Sequence, residues 1–257
     1  MSEDLPARPG HEGDPWAARL AAVVERISGP EASPGPPAPD VTGALADLAA
    51  WWHTVSGGAP LALAEPDPTV PGTVPEAIVA GIEAADRAID SGATLLVPRV
   101  RVRDDEAART LIALLTRKES SAVVAQPVGV IDRDWMDACA AVRDRAAAAA
   151  EHRGDPVGLL GAVPAPGIAV VTGILLGAAA RRTGCLVDGT DELAAALVAD
   201  RICIRAKPWW RAGSDSPDPG RAAAIDRIDL AAGLPLRLTD DAGRGAQATV
   251  ALLRLLA

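Results

Sequence analysis

Ile168-Ala169-Val170-Val171-Thr172-Gly173-Ile174-Leu175-Leu176-Gly177-Ala178-Ala179-Ala180-Arg181-Arg182, followed after Thr183 by Gly184-Cys185-Leu186-Val187-Asp188-Gly189, decides the fold class. The first part is apolar on every face and stops at two arginines. A membrane span needs about 20 such residues, so this run predicts a helix buried inside a protein core. The second part is a short unbroken apolar run, as in a strand covered on both faces. It ends in Asp188-Gly189, which by itself is a turn dipeptide.

The same alternation extends in both directions. Apolar runs at 94–97, 122–125, 209–212 and 234–238 separate helical patterns at 75–91, 104–116, 133–152, 190–200, 219–228 and 245–256. Strands alternating with helices predict an α/β protein with a parallel, Rossmann-like sheet flanked by helices. A small helical N-terminal part precedes it. Residues 1–14 are acidic, lack an apolar run and read as a disordered tail, not a signal peptide. Residues 15–57 form a helical N-terminal segment, with helices at 16–27 and 43–55 around a Pro-rich linker at 29–39. Residues 58–74 read as a loop, and 75–257 as the α/β domain.

Composition excludes several functions. The net charge is −9, with arginines and aspartates interspersed, so no basic face for nucleic acid is expected. Three cysteines, none in a C-x-x-C pair, read as reduced thiols of a cytoplasmic protein. Three scattered histidines lack metal-ligand spacing, and no cofactor is implied. Six Trp are the only aromatics. One Trp of each pair, Trp51-Trp52 and Trp209-Trp210, is expected in the core and its neighbour at a surface or interface.

In parallel sheets, ligands bind beyond the carboxyl ends of the strands. The loops to inspect are 98–103, 126–132, 188–189, 213–220 and 239–245. None carries a Walker A or dinucleotide fingerprint. Gly243-Arg244-Gly245 opens the last helix and is either a phosphate cradle of backbone N–H groups or a flexible turn. Asp240-Asp241 before it is either a general base or a helix-start charge.

Five collinear segments resemble the nicotinate-nucleotide:dimethylbenzimidazole phosphoribosyltransferases of cobalamin nucleotide-loop assembly. Residues 39–51 have the shape of P-P-G-S-L-G-x-L-E-x-L-A-x-W. Residues 124–144 resemble V-G-R-G-T-G-x-D-D-x-x-W-M-R-K-x-x-x-V-R-D, with Gly129, Asp132, Trp135, Met136, Val142, Arg143 and Asp144 matching. Residues 168–189 are similar to I-A-x-x-x-G-x-L-x-G-A-A-A-R-R…V-x-L-D-G, and 212–221 to A-G-H-x-S-x-E-P-G-H. Residues 234–253 resemble the strand and helix around R-L-G-E-G-T-G-A-A. The chain is shorter than a full-length member, and the family's A-x-D-H-G strand and loop before residue 75 is nearly absent.

The resemblance implies transfer of phosphoribose from nicotinate mononucleotide to a benzimidazole nitrogen, on a dimeric scaffold, with a carboxylate taking the azole proton. It implies substrate-binding roles for Gly129, Asp188, Gly189, Ser216, Asp218, Gly243 and Gly245. The chemical loops depart from the pattern. Where G-E-M-G-I-G-N-T-T is expected, this chain has Pro98-Arg99-Val100-Arg101-Val102-Arg103-Asp104-Asp105. β-Branched residues cannot replace glycines at positive φ, so that cradle is lost. The arginines then either hold an anion by charge or form a solvated basic loop. Ser214 and Arg221 stand at the family's His positions, Asp218 at a Glu and Gly167 at an acid. The gap-free register puts Ala242 at the catalytic Glu, whereas aligning on Arg237-Leu238 puts Asp240 there; in the gap-free register the base is missing, and Asp240 or Asp241 reaches the site only if the loop is rebuilt. Three readings follow: a divergent transferase, a non-catalytic partner forming a homodimer or a heterodimer with a full-length homologue, or a module that binds base or nucleotide without turnover.

Overall fold

The structure is a computed structural model that describes residues 15–28, 43–126, 132–238 and 243–256. The expected disordered tail and Pro-rich linker lie outside these residues. A four-stranded parallel sheet runs in the order β1 (Leu63–Ala64), β2 (Leu95–Leu96), β3 (Gly184–Val187), β4 (Trp210–Ala212). The α/β parallel architecture anticipated from the alternating pattern is the one observed.

Four corrections concern the strands and the helices between them. The 58–74 segment is not all loop: Leu63 pairs with Leu95 and Ala64 with Leu96 to make an edge strand. Thr94 fastens that edge, its hydroxyl accepting the Ala62 N–H at 2.8 Å and donating to the Pro60 carbonyl at 2.9 Å. The 122–125 run is no strand; a 3-10 turn (Ser120–Ala122) leads into buried Val123 and Val124. The 234–238 run also stays outside the sheet, whose last contact is a single parallel bridge from Ala212 to Ala232. In both runs apolar burial is satisfied without ladder pairing, which periodicity alone cannot distinguish. Pro156–Ala162 forms a further short helix, between two longer ones, that the sequence pattern does not announce.

Helices cover both faces: α1 (Pro15–Ser28), α2 (Ala44–Ser56), α3 (Val74–Asp90), α4 (Asp105–Thr116), α5 (Asp132–Ala149), α6 (Pro156–Ala162), α7 (Pro166–Ala180), α8 (Thr190–Ile202), α9 (Pro219–Ile228) and α10 (Arg244–Leu256). Several starts are written in the sequence. Thr73, Asp104, Asp155 and Asp218 each accept a backbone N–H of the first turn of α3, α4, α6 and α9, which satisfies an otherwise orphaned donor.

Helix α7 is the central pillar, buried from Ile168 to Ala180. Its closest partner is α3, and glycines set the approach. A Cβ on Gly173 would fall on the Ile78 carbonyl oxygen, and one on Gly81 on that of Val170. Trp210 donates its indole N–H to the Leu175 carbonyl at 3.1 Å. Both Trp209 and Trp210 are buried, which corrects the expected split of that pair; Trp52 is buried and Trp51 half-buried, as expected. Arg211 leaves β4 to donate to the carbonyls of Asp47 and Ala232 at 3.0 and 3.1 Å, and lies over the Trp51 ring.

Candidate functional site at the carboxyl edge

The carboxyl ends of β2, β3 and β4 bring together most of the residues singled out from sequence. Asp188 directly follows β3 and is buried. One carboxylate oxygen accepts from Arg221 at 2.6 Å and the other from the Ala246 N–H at 3.0 Å. Asp188 thus ties β3 to α9 and to the first turn of α10. Gly245 is pressed against this floor: a Cβ there would stand 2.5 Å from the Ser214 hydroxyl and 3.0 Å from Asp188. The Ser214 hydroxyl is buried with no hydrogen-bond partner among the described residues.

Ser216 and Asp218 brace the neighbouring loop. Ser216 donates to the Leu238 carbonyl at 3.1 Å and accepts the Asp218 N–H at 3.2 Å. Asp218 caps α9 through the Arg221 N–H at 2.9 Å and accepts from Arg109 at 2.8 Å. Arg109, from α4, also pairs with Asp105 at 2.7 Å and donates to the Val123 carbonyl. Burial disfavours its charge, yet hydrogen bonds to Asp218 and Asp105 hold the guanidinium above its ordinary range.

Loop 98–103 is solvated at Arg101, Val102 and Arg103, which are exposed, while Arg99 is half-buried and Val100 is buried. Its arginines meet three carboxylates, two from the loop after β1 and one from α8: Arg99 and Glu65 at 3.6 Å, Arg101 and Asp67, Arg103 and Glu192 at 3.7 Å. Val100 is buried, with a methyl 2.8 Å from where a Cβ on Gly167 would sit. The Arg99 guanidinium lies directly against Gly243, whose φ is +70°; a Cβ on that glycine would fall inside it. A strap of side chains therefore crosses the edge from the loop after β1 to the turn before α10.

Two residues missed from sequence lie beneath the strap. Asp191 and Glu192 open α8 and are buried, Glu192 fully. The Asp191 carboxylate accepts the Asp104 N–H at 3.1 Å. Glu192 accepts the Val100 N–H at 2.8 Å with one oxygen, while the other has no hydrogen-bond partner among the described residues. That second oxygen lies against Gly189, whose φ is +124°. Burial pushes the Glu192 carboxyl up to about 7; the Val100 N–H and the Arg103 charge pull it down, and Asp191 adds to the rise. Acids in a first helical turn ordinarily read as solvated dipole partners. The available signal was the run that follows, Leu193 to Val198, apolar throughout: a helix buried on every side also buries its acids.

Asp240, Asp241 and Ala242, the catalytic candidates, and Gly129, a substrate-binding candidate, lie outside the described residues. Among the described residues no group of three or more His, Cys, Asp or Glu is placed to hold a metal. No helix among them is long and apolar enough to cross a membrane.

Comparison with known proteins adds to this geometry. A phosphoribosyltransferase family model matches residues 71–257. A nicotinate-nucleotide–dimethylbenzimidazole phosphoribosyltransferase of Mycobacterium leprae (strain Br4923) is 40% identical over 179 residues, covering 69% of this chain and 51% of the relative. The Streptomyces avermitilis protein of that name is 39% identical over 180 residues, 69% of this chain and 48% of the relative. This chain therefore spans about half the length of these curated relatives. Two crystal structures from Thermus thermophilus are similar. One is of a nicotinate-nucleotide-dimethylbenzimidazole phosphoribosyltransferase (TM-score 0.63, 28% identity, 71% of this chain and 54% of that one). The other is of CobT (TM-score 0.64, 30% identity, 71% and 55%).

Proposed function

We propose that this chain, which belongs to the phosphoribosyltransferase family through residues 71–257, keeps that family's scaffold but does not itself move phosphoribose from nicotinate mononucleotide to a benzimidazole base. It acts as a cytoplasmic, non-catalytic member of cobalamin nucleotide-loop assembly, paired with itself or with a full-length homologue. The observation that supports this reading is the strap. Arg99 lies on Gly243, and Glu192 with Arg103 lies on Gly189, so the chain's own side chains occupy the edge where ligands bind in parallel sheets.

The chemistry leads to the same reading. Displacement at an anomeric carbon needs the phosphate held, the flat base seated and its proton accepted. Asp188 and Asp218, which the family resemblance assigns to substrate binding, already commit their carboxylates to Arg221, Ala246 and Arg109. General-base loss alone lowers rates by about 10²- to 10⁴-fold.

The test is to incubate the pure chain with nicotinate mononucleotide and dimethylbenzimidazole and follow nicotinate by chromatography. No release above the protein-free control is expected, together with co-purification with a full-length homologue when the two are co-expressed. Release that depends on the chain and disappears in Asp240→Asn or Asp241→Asn would overturn the reading and restore the chain as a transferase.

A further inference from the structure

An open groove of about 610 Å³ lies away from the strap, between the C-terminal end of α4 and the C-terminal half of α5. Alanines 113, 146, 147 and 150 make much of its floor. Arg117, Lys118, Arg143 and Arg153 line it against a single carboxylate, Glu119. Arg143 also pairs with Asp144 at 2.8 Å. In a chain of net charge −9, four cations on one small concavity are a local reversal of sign. Helix α4 has 12 residues, so its two ends are about 18 Å apart. The groove is therefore separate from the carboxyl edge, and its chemistry is independent of the strap.

Cations at a helix C-terminus ordinarily serve the last carbonyls. Here part of that role is already filled. The Ala113 carbonyl accepts the backbone N–H groups of Arg117 and Lys118, that of Ile112 the Thr116 hydroxyl, and that of Leu115 the Arg227 side chain. The Ala113 and Leu115 carbonyls do not need the charged ends of Arg117 and Lys118. Arg117 also sits at the C-cap with φ 59° and ψ 35°, a left-handed conformation that glycine adopts without strain and other residues do not.

We propose that this groove binds a small phosphorylated ligand of the nucleotide class, its phosphates on the arginine rim and its flat apolar part on the alanine floor. The volume lies in the range of small-molecule sites. Guanidinium groups match phosphate oxygens in pairs. The methyl floor offers no polar competition to an aromatic ring.

The test is calorimetric titration of the full chain at low salt with ATP, AMP and inorganic phosphate. ATP is expected to bind one per chain, more tightly than AMP, with added salt weakening both. Arg117→Gly and Arg153→Ser should each weaken ATP binding by about tenfold, the loss of one charge-assisted contact. Arg117→Gly should do so with an unchanged or raised melting temperature, which separates ligand binding from fold. No ATP binding, or binding equally strong in both variants, overturns the proposal. Inorganic phosphate binding as tightly as ATP removes the alanine floor from it and overturns the ligand class.

Discussion

Replacing Glu192 with Gln should make the protein more stable than the parent, by a margin that grows with pH. The amide oxygen can still accept the Val100 N–H, now at 2.8 Å from the carboxylate. The other carboxylate oxygen has no hydrogen-bond partner among the described residues, so an amide nitrogen there breaks no such bond. What disappears is a buried charge. A rise from 4.5 to about 7, at 1.36 kcal/mol per unit, corresponds to about 3 kcal/mol. The sign follows from linkage: the folded chain binds this proton more tightly than the unfolded one. The stabilisation is therefore complete below the unfolded value of 4.5 and is lost as pH rises through about 7. The variant's amide has no proton to lose over that range. Urea unfolding at pH 5, 6, 7 and 8 should show the variant gaining on the parent steadily, approaching about 3 kcal/mol at pH 8. A constant difference, or a parent that gains on the variant as pH rises, would refute the reasoning. The first would mean that Arg103, at 3.7 Å, with the Val100 N–H offsets the cost of burial, and the second that they outweigh it.

Further predictions test other parts of the framework. Gly173→Ala drives a methyl into the Ile78 carbonyl where α3 meets α7; it should destabilise by about 1–3 kcal/mol or more, seen as a lower melting temperature. Arg221→Met leaves a buried carboxylate facing an apolar chain and should lose about 3–5 kcal/mol in urea unfolding, part of it recovered by adding Asp188→Asn. Cys185 is fully buried and burial pushes its thiol up, while Cys203 is also buried and Cys139 half-exposed. An aromatic disulfide reagent should therefore label Cys139 first and reach the other two only on denaturation.

The backbone frame was legible because its causes are local. Helix periodicity and the apolar run of β3 are patterns of neighbouring residues. They placed the helices of the sheet region to within a few residues, except the short α6, and identified the sheet as parallel. The runs at 122–125 and 234–238 misled because burial and ladder pairing look alike over four or five residues. The two-residue edge strand at Leu63 was missed because its pairing depends on β2, about thirty residues away.

The carboxyl edge divides along the same line. Asp188, Gly189, Ser216, Asp218, Gly243 and Gly245 could be named from the sequence, because the family resemblance marks their positions. What each one touches could not. Whether Asp188 faces a ligand or Arg221, and whether Arg99 meets water or the Gly243 turn, depends on atoms contributed by segments far apart in the chain. Glu192 is the clearest case: its position says helix start, and only the packing of loop 98–103 over α8 makes it a buried carboxylate. The sequence alone determined where the longer helices and the β3 strand form, since those preferences act over a few residues. The tertiary structure decided which charges are buried and paired, because desolvation and Coulomb energy depend on distance in space and not along the chain.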